Sequence, residues 1–447
     1  MSFQIDTQTL NDLSIFGTGR TKTVYELFNR VKTHGGASLL EEMFRYPLSD
    51  MQAIRKRVDT IRYYGVNRVE FPFQPSIFDA IEFYLDNTDS RSLLMAQDNT
   101  LERRIKSWLI PDSEYAWIHA GIVGCLELLN TLDDFLRQTD KETDEPIAEL
   151  NATLGTLLHN EKWNWYPTEK GKKKIGFERA VEYDKVFRFE ENDRIRKLLY
   201  LVYQIDVYTS AGQVANERGF TYPVVRPATD NVLEMKGVFH PFLTQPVSNT
   251  LRVDKESNVI FLTGANMAGK STFMKSISIA VYLAHTGFPV PAEAFEFSVY
   301  DGMFTTINLP DNLNMGYSHF YSEVLRLKKV AKQVAQGTRL FIVFDELFRG
   351  TNVKDAYDAT LAVSKAFAEV QECTFVLSTH IVEVGAALKA CCPNIRFVYL
   401  PTLMDGVKPV YTYRLTEGIT NDRHGMIIIR NERIIDIING KGDEQES

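Results

Sequence analysis

The residues of this chain best equipped for chemistry lie between Phe261 and Phe273, FLTGANMAGKSTF. Gly264 is followed by Ala265, Asn266, Met267 and Ala268, and then by Gly269, Lys270, Ser271 and Thr272. A loop of this spacing between a strand and a helix aims successive backbone N–H groups at one point, where the helix N-terminus adds positive partial charge. Gly264 and Gly269 permit backbone angles and close approaches that a side chain obstructs. Lys270 then reaches the β- and γ-phosphates of a nucleotide, and the Ser271 hydroxyl binds Mg2+.

A second group lies downstream. Leu340 to Phe344 is a continuous apolar run, as expected for a strand buried on both faces, and Asp345 and Glu346 follow it. Ligands of open α/β sheets sit at such C-terminal strand ends. Beside a phosphate loop, Asp345 can hold Mg2+, through its water or together with Ser271, while Glu346 orients or deprotonates an attacking water. A further strand, Thr374 to Leu377, ends in Ser378, Thr379 and His380. A histidine there can hydrogen-bond the γ-phosphate or the attacking water.

These groups need a sheet to position them. Val259 to Leu262 predicts a buried strand and Thr272 to His285 a helix, with Phe273, Ile277, Ala280, Val281 and Ala284 on one face. From Asn258 onward strands and helices alternate, which predicts an α/β domain with a mainly parallel sheet flanked by helices. The first half is mostly α-helical: the periodicity predicts helices within Asp6 to Tyr64, then over Ile77 to Leu85, Ala116 to Leu136, Ile147 to Leu158 and Asn192 to Arg218. Prolines 223, 227, 241 and 246 and the β-like run Val232 to Phe239 mark a change of character. The expected division is a helical domain over 1–225 and a nucleotide domain over 226–447. Trp163 to Phe189 is the exception in the helical half, mixing aromatics with Lys170, Lys172, Lys173 and Lys174. It reads either as a contact for a nucleic-acid backbone or as a solvated loop with a few aromatics packed beneath it, and the acidic residues among the lysines favour the loop.

A chain of 447 residues has room for two or three domains. With 50 basic against 58 acidic residues it is not a wholesale nucleic-acid binder, although a local basic surface stays open. There is neither a signal pattern nor an apolar run able to span a bilayer. Four cysteines show neither metal-ligand spacing nor a disulfide framework, and the pair Cys391-Cys392 fits a reduced, cytoplasmic protein.

The order GANMAGKST, FDELFRGTN and STH resembles the ATPase domain of the MutS family, the ABC-type P-loop ATPases of mismatch repair. Gly237 to Pro241 (GVFHP), Asn249, Gly287 to Ala292 (GFPVPA), Met303 to Phe320 and Ser318 to Glu323 (SHFYSE) extend the resemblance. Asp6 to Leu13, Leu39-Leu40, Pro47-Leu48, Ile54 to Asp59 and Ile205 to Ala215 resemble the family's helical core. The resemblance implies ATP and Mg2+ at a composite site between two subunits. Ser318 would be the signature serine reaching the partner's γ-phosphate, which calls for a homodimer, and Arg349-Gly350-Thr351 would approach the partner. Ser318 also fits a helix cap before Phe320, Val324 and Leu327.

Departures from the family pattern shape the expectation. The chain starts in the core, without mismatch-reading and connector domains, and little follows Gly425. The interval from Leu136 to Asn192 is too short for two long levers and a clamp at 1.5 Å per helical residue. Phe348 stands where the family usually has glycine, and Thr306 where it usually has arginine. The expectation is a MutS-like ATPase that switches a helical domain, with DNA of unspecified structure as its load. A DNA-independent ATPase remodelling a protein partner and a non-hydrolysing nucleotide-binding scaffold are the alternatives. The presence of Lys270, Asp345 and Glu346 together speaks against the scaffold.

Overall fold

The computed structural model describes residues 2–17, 22–95, 113–139, 145–172, 174–307, 319–406, 408–420 and 434–439. The chain forms two compact units, one from Met1–Leu27, Phe44–Val58 and Val214–Ser447, the other from Phe28–Met43 and Asp59–Gln213. Its first half runs through helices α1 (Thr7–Asp12), α2 (Val24–Phe28), α3 (His34–Arg45), α4 (Met51–Val66), α5 (Ser76–Asp86), α6 (Ser113–Thr139), α7 (Glu145–Leu158), α8 (Phe177–Asp184) and α9 (Asn192–Arg218). The four passages between units fall inside α2, α3, α4 and α9. Contact thus groups residues differently from a single division after residue 225.

The helical unit packs α5 against α6. A Cβ at Gly121 of α6 would lie 2.2 Å from the Tyr84 ring of α5, so this close crossing needs glycine. The stretch read as a solvated loop with aromatics beneath it holds short helical turns among its described residues, with its lysines exposed and several of its aromatics buried. It forms 3-10 turns at Glu161–Trp163 and Tyr166–Glu169, then α8 and a π-helical turn, Lys185–Glu190. The π turn adds a residue per turn, which erases the 3.6-residue period that would have revealed a helix. Trp163, Tyr166, Tyr183 and Phe187 are buried. Arg188 and Asp184 form a fully buried ion pair at 2.6 Å, and Asp184 also accepts from the Tyr84 hydroxyl and Leu94 N–H. Lys170 pairs with Asp134 at 2.6 Å and Lys172 with Glu169 at 3.3 Å.

The other unit holds strands β1 (Val224–Arg226), β2 (Leu233–Val238), β3 (Asn249–Val253), β4 (Val259–Gly264), β5 (Ala294–Ser298), β6 (Gly302–Thr306), β7 (Leu340–Phe344), β8 (Thr374–Ser378), β9 (Ile395–Leu400), β10 (Thr402–Asp405), β11 (Lys408–Tyr411) and β12 (Thr416–Glu417). Helices α10 (Lys270–Thr286), α11 (His319–Ala335), α12 (Val353–Ala368), α13 (Val382–Lys389) and α14 (Ile434–Ile438) alternate with them. The main sheet has the order β12-β9-β4-β8-β7-β6, parallel except for β12. Its core strands β4, β7 and β8 are buried along their whole length, which is why they read as unbroken apolar runs. A second sheet, β1-β5-β2-β3, was signalled only at β2.

The β6 edge is covered by the N-terminal segment. Gln4 N–H donates to Asp301 O, and Met303 N–H donates to Gln4 O, both at 2.8 Å. Asp12 accepts from the Thr305 hydroxyl at 2.7 Å and from Ile307 N–H at 2.9 Å. Asp6 caps α1 and pairs with Arg326 and Lys329 of α11. Thr306 is buried, and its hydroxyl accepts from Arg326 Nε at 3.3 Å. All four cysteines are free thiols. Among the described residues no helix is long and apolar enough to cross a membrane.

His285, near the end of α10, is fully buried. Its Nδ1–H donates to Leu48 O at 2.8 Å, and Nε2 accepts from Tyr300 N–H at 3.3 Å. Burial pushes its pKa down to about 4, although Leu48 O and Asp301 oppose the shift. Unfolding therefore takes up a proton between the unfolded value of about 6.5 and the folded one. The contribution of neutral His285 is complete above about pH 6.5 and is lost as pH falls toward 4, up to about 3 kcal/mol. Urea melts from pH 7 to 4 are expected to lose stability more steeply in the wild type than in His285→Gln, whose amide can serve both partners without titrating. Equal slopes would remove His285 as a source of acid lability.

Candidate nucleotide site

β4 ends at Gly264, whose φ is +148°, and the loop closes at Gly269 with φ +98°, directly before α10. Both positions are also crowded. A Cβ at Gly264 would lie 3.2 Å from Leu400 O, and one at Gly269 2.9 Å from the Tyr413 ring. Between them Met267 adopts a left-handed φ of +69° and is exposed. Lys270 turns back over the loop, donating to Gly264 O at 2.9 Å and Ala265 O at 3.2 Å. Its ammonium is largely buried, which lowers its pKa; Glu346 and Asp345 partly offset the shift.

The registers of β4, β8 and β7 place their C-terminal ends side by side, Phe261 beside Leu377 and Leu377 beside Phe344. Asp345 thereby meets the first turn of α10. It accepts hydrogen bonds from the Ser271 hydroxyl and, on its other oxygen, from Ser378. Burial raises its pKa, the two hydroxyl donors oppose the rise, Glu346 adds to it and Lys270 lowers it. Glu346 follows with a left-handed φ of +52°. Its N–H donates to Ser378 Oγ at 3.0 Å, and its carboxylate pairs with Arg349 at 3.1 Å. His380 is exposed just past the end of β8. Ser318 lies outside the described residues.

The cleft over the phosphate loop has a volume of about 650 Å³, within the usual range for a small-molecule site. Residues 265–267 and 269–272 and Glu346 form one side. His240, Leu243, Val247 and Tyr413 contribute walls that the sequence motifs do not mark as site residues. They come from two segments far apart in the chain, and no local spacing joins them. Burial lowers the pKa of His240, with Lys275 adding to the effect. Asn249 links the two segments: its Nδ2 donates to Tyr413 O at 2.9 Å and its Oδ1 accepts from Leu415 N–H at 2.6 Å. The Ser271 and Asp345 oxygens are hard donors that suit Mg2+, which keeps waters and phosphate oxygens as its other ligands. Among the described residues no cluster of three or more His, Cys, Asp or Glu side chains could hold a metal without such help.

Residues 260–439 match the family model of MutS domain V. A DNA mismatch repair protein MutS of Persephonella marina is 32% identical over 261 residues, 56% of this chain and 29% of that protein. The MutS of Petrotoga mobilis is 24% identical across 95% of this chain and 62% of its own length, and MSH7 of Arabidopsis thaliana 24% identical across 95% and 42%. The chain thus spans less than two thirds of the length of these relatives.

Removing the Lys270 ammonium leaves the loop backbone in place but takes away its one side-chain cation. Lys270→Ala is expected to weaken binding of a fluorescent nucleoside triphosphate at least about tenfold, the scale of one charge-assisted contact, while thermal unfolding stays close to wild type. Undiminished affinity would move the phosphates elsewhere.

Proposed function

We propose that this MutS-family chain is a Mg2+-dependent ATPase that binds ATP on the loop from Gly264 to Thr272 and hydrolyses it to switch its helical domain. The observation that carries the proposal is the meeting of Ser271 with Asp345. A hydroxyl opening a phosphate-loop helix and a carboxylate at a neighbouring strand end converge on one point, beside the Lys270 ammonium.

The backbone N–H groups from Ala265 to Gly269, with those of Ser271 and Thr272, would cradle the phosphates. Lys270 would exchange the carbonyls of Gly264 and Ala265 for the β- and γ-phosphate oxygens, giving its desolvated charge a counterion. Ser271 and Asp345 would hold Mg2+. When bound, that ion supplies charge neutralisation at the phosphates. Glu346 would orient the attacking water or accept its proton, once its carboxylate leaves Arg349. His380 would hydrogen-bond the γ-phosphate or the water. Ser318 would complete the partner's site in trans, so the working form is a homodimer. Differential affinity of ATP for two arrangements of the chain then drives the switch.

DNA is the proposed load because the relatives aligned along most of the chain are named for DNA mismatch repair. Pairing of Lys170 and Lys172 with acidic neighbours favours the alternative of a protein partner. Salt-dependent binding to single-stranded, duplex or branched DNA supports the first; no binding at low salt supports the second.

Two further experiments test the composite site. Glu346→Gln is expected to keep its ATP affinity while hydrolysis slows by about two to four orders of magnitude, the usual worth of a positioned base. Wild-type turnover in this variant would transfer the role to another group. Mixing Lys270→Ala chains with Ser318→Arg chains should restore turnover, because each heterodimer regains one intact site, up to about half the wild-type capacity per dimer. Failure of rescue despite demonstrated subunit exchange would leave Ser318 as a helix cap.

A further inference from the structure

Phe348 is a bulky side chain in a backbone conformation that glycine adopts freely. Its φ is +61°, and two residues earlier Glu346 sits at +52°, so the turn after the acidic pair contains two left-handed residues that are not glycine. Such a conformation is unfavourable for an aromatic residue and persists only where the surroundings hold it. Here the hold is visible. The Phe348 ring is 3% exposed, packs within the apolar cluster under β7 and β8, and lies 5.8 Å from the ring of Phe320, centroid to centroid. Phe320 is the second residue of α11, and Val324 and Leu327 continue the same packed face. Between the two left-handed residues, Leu347 is 4% exposed and its N–H donates to Ser378 O. The turn is therefore fixed on one side to the end of β8 and on the other to the first turn of α11.

We infer that Phe348 is a positioning residue, which sets Glu346 through its packing on Phe320 and so ties the hydrolytic carboxylate to the start of α11. The inference rests on the ATPase reading above. Returning Phe348 to an ordinary φ would withdraw its ring from Phe320 and rotate the turn that presents Glu346. Movement of the first turn of α11 would reach Glu346 by the same contact. In sequence, Ser318 immediately precedes α11. The element joined to one site's base thus begins next to the serine proposed to serve the partner's site.

Steady-state kinetics of purified full-length chains test this, with Lys270→Ala as the background. Phe348→Gly relieves the backbone strain but removes the ring, and Phe320→Ala removes the same contact from the other side. Each is expected to lower kcat about ten- to a hundredfold, the effect of a misplaced catalytic group, with KM for ATP within about twofold of wild type. Phe348→Leu, which keeps an apolar side chain in the cluster, should retain most of kcat. The double variant Phe348→Gly with Phe320→Ala should lose no more than the worse single variant, because both remove one contact. Wild-type kcat in Phe348→Gly, or losses that multiply in the double variant, would overturn the inference and leave the ATPase reading standing. A wild-type chain no faster than the Lys270→Ala background would overturn that reading and the inference with it.

Discussion

The Asp345 carboxylate, held between the hydroxyls of Ser271 and Ser378, is the constraint on which the site depends. It follows a fully buried strand and is itself half-buried, so its charged form loses part of its hydration. Two hydroxyl donors to this half-buried carboxylate oppose the burial effect without cancelling it. The opposing effects explain why its pKa is raised by burial and restrained by hydrogen bonds. They also connect three elements, since Ser271 opens α10, Asp345 leaves β7 and Ser378 ends β8. Under the proposed function, a nucleotide entering the cleft would meet an assembled array of donors and acceptors.

What lies around that carboxylate was legible in proportion to how local it is. β4, β7 and β8 are buried on both faces, so their sequences are unbroken apolar runs whose ends mark the phosphate loop, the acidic pair and His380. The Tyr413 wall was not legible, because it depends on an Asn249 side chain that bridges 164 residues to reach the Tyr413 carbonyl. The left-handed turn at Glu346 and Phe348 was equally hidden, since the side chain present is not the one such a backbone favours. In the helical half, burial at Trp163 and Tyr166 arises from short 3-10 turns that carry no long period. Charge was the better guide there: acidic residues among the lysines spoke for a solvated segment, and Lys170 and Lys172 are exposed and pair with acidic side chains of the same unit.

The sheet edge shows a similar dependence on distant sequence. Arg326 of α11 pairs with Asp6, donates to Thr305 O at 2.8 Å and approaches the hydroxyls of Thr9 and Thr306. An arginine so placed offers several N–H donors in a fixed plane, which a lysine could not replace. The N-terminal residues thereby stabilise the strand leading toward the segment before α11 and the helix that follows it. The sheet, the turn carrying Glu346 and the start of α11 are thus joined by direct contacts.

The most direct measurement is phosphate release from ATP by the purified chain, followed in Mg2+, in excess chelator and again after Mg2+ is restored. The expected result is steady turnover with Mg2+, its loss in chelator and its return on re-addition, because Ser271 and Asp345 offer a place for the ion but cannot replace its charge. No release above the protein-free blank in Mg2+, or release unaffected by chelator, would contradict a Mg2+-dependent ATPase at this site.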